Sequence, residues 1–136
     1  MGAVDFTDWA DRDLVLTLGT ATYRVPVPSG EDMGKILASA IRGEVNLGQV
    51  AGPIPAEVQA VLDTIEPGTS PALGPVWQQL IDDNVPPYVR DRMAYYAVFF
   101  WARGREYADS LAKLLWTQRD LDTPPEEGEV VGPKDR

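Results

Sequence analysis

Met93-Ala94-Tyr95-Tyr96-Ala97-Val98-Phe99-Phe100-Trp101 is the stretch on which the fold turns. It is apolar nearly all the way round a helix and holds no carboxylate, amine or thiol. A helix with no polar face must be covered on every side, by its own domain or by another chain. On a helical wheel Val89, Met93, Tyr96 and Phe100 share one side, Tyr88, Tyr95 and Phe99 the next, and Val98 and Trp101 the one beyond. Two readings stand. Either this is a central helix wrapped by the other helices and a hairpin, or one side of it is an oligomer or partner surface. Full cover from within is difficult in a domain this small, so the stretch points to a protein whose work is contact.

Towards the C-terminus, Gly104 ends or kinks this helix, and a last helix carries Tyr107, Leu111, Leu114 and Leu115. Trp116 falls opposite that stripe, on a face with Arg105 and Asp109. There it is either covered by the tail or offered to a partner as an anchor. Towards the N-terminus, Pro86-Pro87 starts the apolar helix and breaks the one before it. That earlier helix has the stripe Leu73, Val76, Trp77, Leu80 and Ile81, with Ser70 as N-cap and Pro71 at the first helical position. Val58, Val61, Leu62 and Ile65 form a shorter helix ended by Pro67-Gly68. Met33, Ile36, Leu37, Ala40 and Ile41 mark an amphipathic helix that Ser29 and Asp32 cap and Gly43 stops, and 44–55 reads as loop. Leu14, Leu16 and Leu18 alternate with Val15 and Thr17, the chain turns at Gly19-Thr20-Ala21, and 22–27 alternates again. This is a β-hairpin whose inner face holds Leu14, Leu16, Leu18, Tyr23 and Val25, and Pro26 and Pro28 either end its second strand or lie on its open edge. Phe6 and Trp9 share one side of a short N-terminal helix.

The expected fold is therefore α+β, mainly α: an N-terminal β-hairpin (about 13–27) packed on a bundle of about five helices (about 30–118), one globular domain over 1–119. Residues 120–136 hold six acids, two bases, three prolines and two glycines. Such a segment cannot bury enough surface to offset its ordering entropy, so it reads as a flexible, disordered acidic tail.

Composition narrows function. The 136 residues include no Cys and no His, which removes thiol and imidazole nucleophiles and bases, disulfides and the commonest zinc ligands. A net charge of -9 repels phosphate backbones, so no nucleic-acid partner is expected, and no apolar run suits a membrane span. Met1-Gly2-Ala3-Val4-Asp5 is no signal peptide. Gly30-Glu31-Asp32-Met33-Gly34-Lys35-Ile36 has the outline of a phosphate-binding loop but is one residue short, lacks the Ser or Thr, and puts acids where phosphate would sit. The acids Asp8, Asp11 and Asp13, and Asp82-Asp83, lack the spacing of a calcium loop and read as solvated surface. Arg90, Arg92, Arg103 and Arg105 bracket the apolar helix and read as ion-pairing and helix-end residues, the last two at its negative pole. No catalytic residue, metal ligand or cofactor is expected.

The order of parts resembles the tail assembly chaperones of long-tailed (siphovirus-type) bacteriophages that infect actinobacteria. The matching pieces are Asp13-Leu14-Val15-Leu16-Thr17-Leu18-Gly19, Tyr23-Arg24-Val25-Pro26-Val27-Pro28, an amphipathic helix, the stretch Leu73-Gly74-Pro75-Val76-Trp77-Gln78-Gln79-Leu80-Ile81-Asp82-Asp83-Asn84-Val85-Pro86, and the aromatic helix ending at Trp101. The likeness spans about residues 5–119 and lies in order and spacing. It implies a non-enzymatic protein of the host cytoplasm, absent from the finished virion, that binds the tape-measure protein and helps tail-tube subunits assemble around it. An acidic, catalytically bare domain suits that role through solubility and contact surface. Tyr95, Phe99, Trp101 and Trp116 are the candidate protein-binding residues. Further implied partners are tail-tube subunits, a longer frameshifted form of the chain and a second copy of it. Gly132-Pro133-Lys134, if encoded GGC-CCA-AAG, contains the slippery run CCCAAAG, which sequencing the gene would show or refute. The alternative role is a structural virion component such as a head–tail connector or tail-completion protein. A DNA mimic fits less well, because the acids are spread over several elements.

Overall fold

The structure, a computed structural model, describes residues 2–7 and 13–117. Asp8, Trp9, Asp11 and the tail segment 120–136 lie outside the described residues.

The alternating leucines make strand β1 (Leu14–Leu18), which pairs antiparallel with β2 (Ala21–Val25) in the register Leu14↔Val25 to Leu18↔Ala21. The loop between them is only Gly19-Thr20. Gly19 has φ 62, which glycine adopts without a Cβ clash, and glycine at the first loop position is the mark of a type II′ hairpin turn. Leu14, Tyr23 and Val25 are buried as the alternation predicts, whereas Leu16 is half-buried and Leu18 at the tip is 39% exposed.

Five helices follow: α1 (Gly30–Asn46), α2 (Ala56–Leu62), α3 (Val76–Asp82), α4 (Pro87–Arg103) and α5 (Arg105–Trp116). Ser29 caps α1 as its sequence predicts, its hydroxyl accepting from the Asp32 amide at 3.1 Å. Gly43 does not stop the helix. It lies inside α1 on the buried side with Ile36, Ala40 and Glu44, and a Cβ there would stand 3.0 Å from Phe99 Cζ and 3.3 Å from the Tyr95 hydroxyl. The glycine is a site of close approach between α1 and α4, not a terminus. Ser70 is also a cap of a different kind: its hydroxyl accepts from the Leu73 amide at 3.2 Å, but the turn it opens is interrupted by Gly74, with φ 55, before α3 begins.

The helix α4 is central, with α1, α3, α5 and β1 all against it. Ala97, Phe99, Phe100 and Trp101 are fully buried, so the domain covers the second half of the aromatic stretch from within. The wrapped reading therefore holds for that half. At the other end Tyr88 is 65% exposed. Gly104, with φ 103, reverses the chain, so α5 lies back along α4: Phe99 stacks on Tyr107 with ring centroids 5.6 Å apart, and Tyr95 meets Trp116 edge-on at 6.2 Å. The observed architecture is an N-terminal hairpin packed on five helices.

Candidate protein-binding groove

The four aromatic residues singled out from the sequence are divided by the fold. Phe99 is 1% and Trp101 2% exposed, both within the core. Phe99 packs on Gly43, and the Trp101 indole donates to the Ala72 carbonyl at 2.9 Å, tying α4 to the turn before α3. A buried aromatic with its polar atom satisfied is a packing residue. The expectation that Phe99 and Trp101 present themselves to a partner is thus corrected: α1 and the 71–75 turn cover the side of the helix they occupy. Tyr95 and Trp116 are half-buried and lie against each other.

Trp116 lines a groove of about 390 Å³ between the hairpin and the α4–α5 pair. One wall is β1, contributing Leu14, Val15, Leu16 and Thr17. From α4 come Val89, Arg92, Met93 and Tyr96, and from α5 Arg105, Asp109 and Trp116. The face shared by Trp116, Arg105 and Asp109, expected from the helical wheel, is the face that α5 turns to this groove.

Each polar group here has a definable task. The Arg105 guanidinium sits 4.9 Å from the centroid of Phe100 and donates to the Asp13 carbonyl at 3.0 Å, holding the start of β1 to the start of α5. It therefore acts at the beginning of α5 and not at the negative pole of α4. Arg92 stacks over Trp116 at 5.3 Å and over Tyr88 at 5.9 Å, and among the described residues it has no carboxylate within ion-pair reach. The Tyr96 hydroxyl donates to the Asp109 carboxylate, joining α4 to α5. Burial, with that hydrogen bond second, pushes the Tyr96 phenol up to about 12. It stays protonated at any physiological pH and is no general base.

Among the described residues the most buried charge lies elsewhere and is fully paired. Glu44 accepts from Arg103 at 2.9 and 2.8 Å in a two-pronged pair, and from the Tyr107 hydroxyl at 2.9 Å. The Arg103 bonds hold its carboxyl below the ordinary range against the opposing effect of burial. A carboxylate saturated in this way is structural. Asp83 is likewise occupied, accepting from Tyr23 at 2.6 Å, and Asp82 accepts from Gln78 at 2.9 Å. Among the described residues no three His, Cys, Asp or Glu side chains are placed to hold a metal, and no helix is long and apolar enough to cross a membrane.

A second hollow of about 550 Å³ lies between α1, the 65–72 segment and α4. Trp77 lines it, with its indole nitrogen buried and unpaired among the described residues and Arg90 over its ring at 5.0 Å. The β1 groove differs in setting a strand beside aromatic side chains, and the alternation in 14–18 is the sequence signal for that strand. The cation–π stacking of Arg90 and Arg92 had no such signal, because it depends on how helices far apart in sequence are brought together.

The family described as Domain of unknown function (DUF7426) matches residues 4–130, and the chain belongs to that family. No curated protein and no solved structure matches it.

Proposed function

We propose that this protein works by binding protein, as a non-catalytic tail assembly chaperone for the tape-measure protein of a long-tailed phage. One observation carries the reading of a contact protein: the groove in which Trp116 and Arg92 stand opposite the outer edge of β1. Tryptophan and arginine are the side chains that most often anchor interfaces, and a strand edge supplies main-chain hydrogen bonds to any extended segment. The settled state of Glu44, Asp83 and Tyr96 supports the absence of chemistry, since each spends its polar atoms on the fold. The order of sequence elements that resembles tail assembly chaperones supplies the partner. In this role the chain keeps an aggregation-prone tape-measure protein soluble while tube subunits assemble, in the host cytoplasm, with Tyr95 at the back of the Trp116 contact.

The test is co-expression with the tape-measure protein of the same genome. The reading expects that protein to be insoluble alone and to co-purify in soluble form with this chain. Continued insolubility with both this chain and a longer frameshifted product would sink it.

A further inference from the structure

The hairpin treats its two edges differently. Across a two-residue loop the flanking pair, Leu18 and Ala21, exchanges both ladder bonds, and the pattern alternates from there. Leu14, Leu16 and Leu18 thus direct their amides and carbonyls at β2, while Asp13, Val15 and Thr17 direct theirs away from it. Proteins usually blunt an outer edge with a charged side chain, a proline or a bulge. The β2 side has Arg24 and then Pro26, whereas Leu14-Val15-Leu16-Thr17-Leu18 has neither charge nor proline. Among the described residues no backbone group meets Val15 or Thr17 on the outer edge. The groove runs along that edge. Arg105 donates to the Asp13 carbonyl, which points outward in this phase, and Arg105 lines the groove together with Val15 and Thr17.

We propose that the groove takes an extended segment of a partner protein, added to β1 as a third strand, apolar at alternate positions and carrying at least one carboxylate. The proposal names the kind of segment held at the protein-binding groove and rests on that reading of it. Main-chain pairing sets the conformation. Val15 and Thr17 each offer an amide and a carbonyl, which an extended segment can answer and a helix, its own backbone groups already spent, cannot.

Apolar character follows from the walls, where Val89 and Met93 of α4 face the half-buried Leu16 and Trp116. Side chains of a strand alternate between its faces, so every second residue of the segment can meet them. The carboxylate follows from the cations. Arg92 and Arg105 both line the groove, and Asp109, which lines it too, already accepts from the Tyr96 hydroxyl. Arg92 stacks over Trp116 and has no carboxylate within ion-pair reach among the described residues. Its planar guanidinium can stack on the ring and still receive a carboxylate in its plane. A second copy of this chain fits less well, since Leu14–Leu18 brings no acid to Arg92.

Residue-resolved hydrogen exchange on the full-length chain tests this. The probe is a peptide of about seven residues, blocked at both ends, alternating valine and glutamate. Its comparisons are a valine–lysine peptide and the valine–glutamate peptide N-methylated on every amide. With the first at about 1 mM, Val15 and Thr17 amides should exchange about tenfold or more slowly than in the chain alone. The lysine and N-methylated peptides should give little protection, and Arg92→Glu should shift the preference to the lysine peptide. The Leu16 amide, bonded to β2, checks that the hairpin is intact throughout. No added protection from the valine–glutamate peptide, with Leu16 protected, overturns the proposal. So does equal protection by the N-methylated peptide, or a charge preference that Arg92→Glu leaves unchanged. Val15 and Thr17 already protected without peptide also overturn it, assigning the edge to this chain or, if protection grows with protein concentration, to a second copy. Tape-measure co-purification is scored separately. A soluble complex without peptide protection sinks the third strand and leaves the binding role, and peptide protection with no complex does the reverse.

Discussion

At the residue scale, two neighbours in α1 carry the helix packing. Gly43 lets Phe99 approach so closely that a Cβ would stand 3.0 Å from the ring. Alanine there sets a gain in helix propensity against a shift of a few tenths of an ångström, but a branched side chain cannot be accommodated that way. Gly43→Val is expected to cost about 1–3 kcal/mol by overpacking, read as a lower urea midpoint at unchanged slope. Glu44→Ala removes the acceptor of Arg103 and Tyr107 together. A fully buried pair broken this way costs about 3–5 kcal/mol, and the loss here should be nearer 2 because the Arg103 side chain keeps 33% of its surface in water. The Glu44 carboxyl is lowered from an ordinary value of 4.5 in the fold, chiefly by Arg103. Its contribution is therefore complete above pH 4.5 and is lost as pH falls through the depressed folded value. Glu44→Ala should flatten the acid limb of the stability curve, and a limb that stays equally steep would contradict the assignment. Neither residue's task was legible from sequence. Gly43 looks like a helix stop and Glu44 like the first residue of a loop, because both depend on Phe99 and Arg103, more than fifty positions away.

At the element scale, the hairpin and α4 were legible, since each is specified by local periodicity: two for 14–18 and for 22–27, where the strand itself runs from Ala21 to Val25, and an unbroken apolar run bounded by Pro86-Pro87 and Gly104. The short α2 and α3 were legible only in position. Ser70-Pro71 has the form of a helix start, yet the backbone takes φ 55 at Gly74 and the regular helix begins at Val76. Which side of α4 is covered was not readable, because it is settled by Gly43, Ala72 and Tyr107, each on another element. The α4–α5 link through Tyr96 and Asp109 makes a prediction of its own. A phenol raised from 10.0 to about 12 favours the folded state fully below pH 10.0, and that contribution is lost as pH rises towards about 12. Tyr96→Phe should reduce the steepness of the alkaline decline in thermal midpoint. An unchanged decline would assign it to the other tyrosines.

At the scale of the whole molecule, a chain with 21 acids, 12 bases and no His or Cys uses Glu44, Tyr96 and Trp101, among its described residues, to hold its elements together. What it leaves available is contact surface. The proposed role as an assembly factor, as against a tail component, predicts no stoichiometric signal from this chain in mass spectra of purified particles. A stoichiometric signal would favour the structural role. The central claim is that the β1 groove, with Trp116 in its wall, is where a partner is held. It is tested most directly by co-expressing the tape-measure protein with the native chain, with Trp116→Ala, and with Leu114→Ala, an apolar residue 58% exposed on α5 but outside the groove. Native chain and Leu114→Ala should bring down equal amounts of soluble partner, while Trp116→Ala, folded by circular dichroism, should lose most of it. Equal recovery with all three would place the contact elsewhere and contradict the account.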